Sequence, residues 1–188
     1  MIHFKINNFK SIVNIILTML FVSCTNNIKE VRDFLADKNL PIAVGKNIDL
    51  IHTDSGTVKT KLKAPLLYDY SNRREHPYQE FPKGLSLITF QKNGDSINIK
   101  GNYAISYTKT NISEIIGEVE ILNYATQTKL NTEQLYWDQN LHYFFTEKKV
   151  RIINEKDTTF GFGFEANEDL SKAIIRNTSG TLYVKENN

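Results

Sequence analysis

Three of the four histidines, those beyond His3 in the expected signal peptide, a serine beside a carboxylate, two glycines set between phenylalanines and a single cysteine are the residues of this chain whose types and spacing suggest chemistry. His52, His76 and His142 lie far apart and share no ligand spacing with a cysteine or with one another, so they read as surface or strand histidines rather than metal ligands. Asp54-Ser55-Gly56 puts a hydroxyl next to an acid, yet a turn explains all three residues, and the strand-to-helix elbow that presents a nucleophilic serine is missing. The glycines of Phe160-Gly161-Phe162-Gly163-Phe164 do not form a phosphate loop, because no helix follows and phenylalanine fills the alternate positions. They read as a strand with one aromatic face and one bare face, where glycine allows either the close approach of another chain or ligand or a simple kink. The expectation is therefore a protein without catalytic residues, bound metal or cofactor.

Cys24 is informative through its position. The first ten residues carry Lys5 and Lys10 and no acid, and residues 12–22 form an apolar stretch. At about eleven residues it has the length of a signal-peptide core, whereas a membrane-spanning helix needs roughly 20. It ends in Leu20-Phe21-Val22-Ser23-Cys24, which resembles the lipobox cleaved by bacterial lipoprotein signal peptidase, although Phe21 stands where leucine is usual. The expectation is a signal peptide over 1–23, lipidation of Cys24, a polar linker over 24–39 and one domain over 40–188. Within the linker Ile28, Val31 and Leu35 fall at helical spacing, enough for a transient helix. The chain has 23 basic and 21 acidic residues, and loss of Lys5 and Lys10 would leave the mature chain formally neutral. Without a basic patch it is not expected to bind nucleic acid. With its one cysteine lipidated it can form no internal disulfide, so its stability must come from burial.

The elements that must position any site are strands. From Asn47 onward the dominant period is two. Val58, Thr60, Leu62, Ala64, Leu66, Tyr68 and Tyr70 alternate with Lys59, Lys61, Lys63 and Asp69. The run Ile97, Ile99, Gly101, Tyr103, Ile105, Tyr107 alternates with small or polar residues. Further strands are predicted over 85–90, 114–122, 130–137, 141–145, 150–153, 160–166, 173–176 and 182–184. Turn residues separate them at Asp54-Ser55-Gly56, Pro82-Lys83-Gly84, Asn93-Gly94-Asp95, Asp138-Gln139-Asn140, Asn167-Glu168-Asp169 and Ser179-Gly180. Many short strands with regular turns define an all-β sandwich, jellyroll or barrel. A weak repeat also recurs at Asn102-Tyr103-Ala104, Gln134-Leu135-Tyr136-Trp137 and Gly163-Phe164-Glu165-Ala166, as in a ladder of like hairpins.

Taken in order, five segments resemble the LptC family, the periplasmic component of the lipopolysaccharide-export ABC transporter, in the lipoprotein-like form seen in Bacteroidetes. They are Thr53-Asp54-Ser55-Gly56 with the strand through Leu62-Lys63-Ala64-Pro65-Leu66; Glu80-Phe81-Pro82-Lys83-Gly84-Leu85; Gly117-Glu118-Val119-Glu120-Ile121; 130–138; and Gly161-Phe162-Gly163-Phe164. No single segment is diagnostic, and their order and spacing carry the likeness.

That resemblance implies a twisted, incompletely closed antiparallel β-jellyroll with a groove for lipopolysaccharide acyl chains. By alternation the groove residues are expected to be Ile97, Ile99, Tyr103, Ile105, Tyr107, Ile115, Val119, Ile121, Phe160, Phe162 and Phe164. It implies an address on the periplasmic face of the inner membrane. It further implies partners: the inner-membrane permease subunits near residues 47–62, an LptA-like next bridge protein joined by edge-strand addition near 173–184, and an ATPase supplying energy. Two features depart from the family pattern. Many members keep an uncleaved membrane helix where this chain has a short stretch ending in Cys24, and the polar insertion 71–80, with Arg73, Arg74 and His76, has no clear counterpart and reads as a loop or a cationic rim. A lipocalin-like binding lipoprotein and a structural outer-membrane lipoprotein are the alternatives that the strand pattern leaves open.

Overall fold

A computed structural model describes residues 28–91, 94–155 and 157–181. The predicted signal peptide, Cys24 and the predicted strand over 182–184 lie outside the described residues. The chain divides at Phe34/Leu35 into a short N-terminal unit and a β-domain.

Helix α1 (Ile28–Asp37) occupies the predicted linker. Asn39 ends it in the left-handed region, where its N–H donates to Ala36 O and that of Leu40 to Leu35 O. This is a Schellman stop. Arg73 Nη1 donates to the same Ala36 carbonyl at 2.8 Å, a cation on carbonyls that have no partner inside the helix.

Among the described residues twelve strands follow: β1 (Ala43–Asp54), β2 (Thr57–Tyr70), β3 (Tyr78–Phe81), β4 (Leu85–Phe90), β5 (Ser96–Gly101), β6 (Tyr103–Tyr107), β7 (Ile112–Asn123), β8 (Lys129–Asp138), β9 (Tyr143–Ile153), β10 (Thr158–Asn167), β11 (Ala173–Ile175) and β12 (Ser179–Thr181). All pairings are antiparallel. At the predicted turn Asp54-Ser55-Gly56, Ser55 and Gly56 both take positive φ, so Asp54 pairs directly with Thr57 in a two-residue hairpin loop whose twist suits the strands, whereas the predicted turn Ser179-Gly180 lies within β12 and pairs with β10.

β2 pairs with β3 through residues 68–70 and with β4 through residues 60–63. β7 likewise pairs with β6 through 112–116 and with β5 through 120–123. Thus β3 with β4, and β5 with β6, each behave as one long strand broken in the middle. The breaks line up. They fall at Gly84, at Gly101-Asn102, at Gly117-Glu118 in β7, between Thr132 and Tyr136 in β8, and at Gly163 in β10. A crease therefore runs across the whole sheet and folds it into two leaves. The β3 leaf holds β3, β6, β11 and residues 112–116, 135–138, 143–146 and 164–167; the β4 leaf holds β4, β5, β12 and residues 57–63, 119–123, 129–132, 149–153 and 158–162. One core lies between them, with Phe81, Trp137, Phe144 and Ala166 from the β3 leaf and Ile97, Ile99, Ile121, Leu130 and Val150 from the β4 leaf. This is an all-β, jellyroll-like fold whose ring is not evenly closed. Among the described strands, β1 pairs only with β2, and β11 and β12 only with β10, which leaves an edge on each side.

The crease needs glycine. A Cβ on Gly84, at φ 76°, would stand 2.3 Å from the carbonyl oxygen of Gly101. Two buried threonines stitch the crease in β9. Thr132 Oγ1 donates to Lys149 O at 2.9 Å, and Thr146 Oγ1 accepts from Lys148 N at 3.1 Å. These bonds carry β9 through the polar run Glu147-Lys148-Lys149, so the two strands predicted over 141–145 and 150–153 are one.

Candidate functional site

A packed apolar core lies between the leaves, and its rows follow from the pleat. In the β4 leaf an inward row runs Leu62, Leu87, Ile99, Ile121, Leu130, Ile152 through directly paired residues. In the β3 leaf Phe81, Ala104, Ile115 and Leu135 form another such row. Of the eleven residues expected in the groove, Ile97, Ile99, Ile115, Val119, Ile121 and Phe164 lie together in this interior, none more than 2% exposed.

The other five do not join them. Phe160 and Phe162 are 46% and 50% exposed on the outer surface, beneath Arg151 and Lys149 at 5.9 and 5.3 Å from their ring centres. The alternation fails because Gly163, at φ 76°, is a bulge that shifts the register between Phe162 and Phe164 and turns the next residue inward. Tyr103, Ile105 and Tyr107 are corrected for the same reason. The break at Gly101-Asn102 reverses the pleat after Ile97 and Ile99, so that Ala104 faces in and its neighbours face out. Likewise Leu67, not Leu66, packs on the core in β2.

The outer face of the β3 leaf has its own order. Tyr70 stacks on Tyr78 at 4.8 Å, and Tyr78 leans on Tyr107 at 6.4 Å. Three phenols donate to carboxylates: Tyr103 to Glu80 at 2.8 Å, Tyr136 to Glu114 at 3.0 Å and Tyr143 to Glu165 at 2.5 Å. Burial and the Glu80 bond raise the Tyr103 phenol far above its ordinary range. Burial, then Glu114, raises Tyr136, while for Tyr143 the Glu165 bond is the main cause.

The interior is nearly free of charge. Its buried polar residues are Thr89, Ser113, Asn123, Thr132 and Thr146, while the buried Asn98 lies on the opposite face of the sheet with Ser86 and Tyr124. Thr89 Oγ1 and Trp137 Nε1 have no hydrogen-bond partner among the described residues. At the loop tips lies a cleft of about 970 Å³, with Gln91, Asp95, Asn123 and Thr126 on one lip and Leu141, Tyr143 and Leu170 on the other. Leu170 packs against the core from the lip, and Asn123 Nδ2 donates across the cleft to Asp169 O at 3.3 Å. A second concavity of about 760 Å³ lies on the outside of the crease, where Lys63, Lys83, Lys100, Glu118 and Glu120 line it.

The histidines stand on separate elements. His52 is in β1 opposite Thr60, His76 is in the β2–β3 loop, and His142 lies before β9 with Nδ1 2.6 Å from Glu168 Oε2. Ser55 Oγ donates to Asp54 Oδ1 at an exposed turn. Among the described residues no three or more of histidine, cysteine, aspartate and glutamate cluster in a way that could hold a metal ion.

A creased antiparallel sheet that leaves, among the described strands, an edge at β1 and another at β11 and β12, with a continuous apolar interior between its leaves, defines the class: a jellyroll-like β-fold whose ring is not evenly closed. The family model for lipopolysaccharide assembly, LptC-related, matches residues 12–184. The chain therefore belongs to the LptC family, with a role in lipopolysaccharide transport as a periplasm-facing component of the cell envelope. A search of curated proteins returned no match.

Proposed function

We propose that this protein is an anchored bridge that shields lipopolysaccharide acyl chains between its two leaves while the sugars stay in water. The observation that carries this reading is the family match over nearly the whole chain, together with an apolar interior that runs unbroken through both leaves. Transfer of an acyl chain from water into such a space is favourable by about 0.8 kcal/mol per methylene and requires no directional chemistry. The proposed lining is Ile97, Ile99, Ile115, Val119, Ile121 and Phe164, with Phe144 and Leu135.

Processing at Cys24 leaves an acylated N-terminus at the periplasmic face of the inner membrane, and two or three acyl chains hold a protein durably where one does so marginally. The free edges are the joints. An unpaired strand offers main-chain donors and acceptors to a partner strand, so β1 would meet the permease subunits and β11–β12 an LptA-like bridge protein. Energy comes from the transporter's ATPase.

A photoreactive phenylalanine derivative placed singly at Phe164 and at Phe162 tests the groove. The two positions sit two residues apart on opposite faces, so crosslinking to lipopolysaccharide in cells is expected from 164 and not from 162. Equal labelling, or labelling from 162 alone, overturns the interior assignment. The anchor has its own test: Cys24→Ala is expected to accumulate unprocessed precursor without acyl mass, and a mature mass indistinguishable from that of the processed, unacylated chain would refute it.

A further inference from the structure

Helix α1 carries Ile28, Val31 and Phe34 at 77%, 56% and 59% exposure, and none of its residues is buried. Spaced by three, these side chains share one face of the helix. Lys29, Glu30, Arg32, Asp33 and Asp37 occupy the rest of its circumference. A ten-residue helix is marginal in water, and a stripe of large apolar side chains on it calls for a covering phase.

The chain outside the structure says what that phase is. It ends at residue 27, directly before the helix, and it contains the apolar stretch 12–22 and Cys24. Whether Cys24 is acylated or the stretch remains in the membrane, residue 24 lies at the bilayer surface. Four residues of extended chain reach at most about 14 Å, so Ile28 cannot leave the headgroup region by more than that. We propose that α1 lies in the membrane interface, with Ile28, Val31 and Phe34 turned toward the acyl chains and the charged face toward the periplasm. The inference rests on the N-terminal anchoring given under the proposed function. The five charged residues named above sum to −1, which sets this helix apart from basic interfacial helices that seek anionic lipid. Its insertion therefore comes from the apolar stripe and the tether, and neutral lipid suffices.

The mature chain in phosphatidylcholine vesicles tests this directly. Acylation consumes the Cys24 thiol, so a cysteine introduced singly at each of positions 28 to 37 is the only free thiol, and the parent chain is the unlabelled control. An environment-sensitive fluorophore on that thiol is read for a blue shift and for quenching by spin-labelled lipid. Maxima at 28, 31 and 34 with minima at 30 and 32–33 are expected, unchanged when phosphatidylglycerol is added. Vesicle flotation, read on the same samples, separates the two readings. A protein that does not float with the vesicles overturns the anchor and the helix placement with it. A protein that floats but gives a flat profile overturns the helix placement alone. A periodic blue shift that spin-labelled lipid does not quench also overturns it, because the stripe is then covered by protein.

Discussion

Phe162 and Phe164 are separated by one glycine, and that glycine decides which of them holds the fold together. Phe164 is fully buried, so Phe164→Ala is expected to cost about 3–5 kcal/mol of unfolding free energy. Phe162 loses only a half-exposed ring and its contact with Lys149, so Phe162→Ala is expected to cost about 1 kcal/mol or less. Urea denaturation of the two variants checks the difference, and similar midpoints would contradict the bulge. Simple alternation counts both rings on one face, which is how Phe160 and Phe162, and on β6 Tyr103, Ile105 and Tyr107, came to be expected inside. Ile97, Ile99, Ile115, Val119 and Ile121 face the core as simple alternation has them. The signal that would have corrected the rest was present in Gly101 and Gly163, since a glycine inside an alternating strand marks a bulge as readily as a bare face.

At the scale of elements the crease is the organising device, and glycine is what permits it. Gly84→Ala would force a Cβ against the Gly101 carbonyl at a positive φ, and a loss of about 3 kcal/mol is expected in thermal or urea unfolding. The crease also explains the weak repeat. Asn102, Gln134 and Gly163 all stand at it, and Ala104, Leu135 and Phe164 follow as the first inward side chains of the β3 leaf. Most strands were legible because period two and turn residues bound them. The join of two predicted strands into β9 was not, because its middle is polar and its continuity comes from two threonine side chains on neighbouring strands. The outer face of the β3 leaf yields a pH prediction. Tyr103, Tyr136 and Tyr143 have folded-state pKa values above the ordinary 10.0 of an unfolded tyrosine, raised chiefly by burial and then by the bond to a carboxylate in Tyr103 and Tyr136, and chiefly by the Glu165 bond in Tyr143. Their contribution to stability is complete below about pH 10 and is lost as pH rises past it, where the unfolded chain releases protons that the folded chain holds. The urea midpoint is expected to be flat from about pH 8 to 9.5 and to fall above about pH 10, with a shallower fall in Tyr103→Phe. An equally steep fall in that variant would remove Tyr103 from the account.

For the molecule as a whole the packed interior sets a condition on function. The proposed lining is at most 2% exposed, so acyl chains cannot enter until the leaves part. The direct hydrogen bond from Asn123 to Asp169 and the side chain of Leu170 hold the lips together at the 970 Å³ cleft, while each free edge lies along a single strand that a partner can pair with from outside. The order of short segments sufficed to identify the family from the sequence. The closed lips were not legible there, because they depend on loops more than forty residues apart meeting in space, as the 46-residue separation of Asn123 and Asp169 illustrates. On the proposed reading the lips would have to part to admit acyl chains, and Trp137, the sole tryptophan and a core residue, would report on it. With cysteines at positions 123 and 169 joined by a short bis-maleimide, a lipopolysaccharide analogue with brominated acyl chains is expected to lose most of its quenching of Trp137 fluorescence. The same variant before crosslinking should be quenched as the parent is. Unchanged quenching after crosslinking would mean that acyl chains enter along an edge strand instead, and the lips would then be structural closure alone.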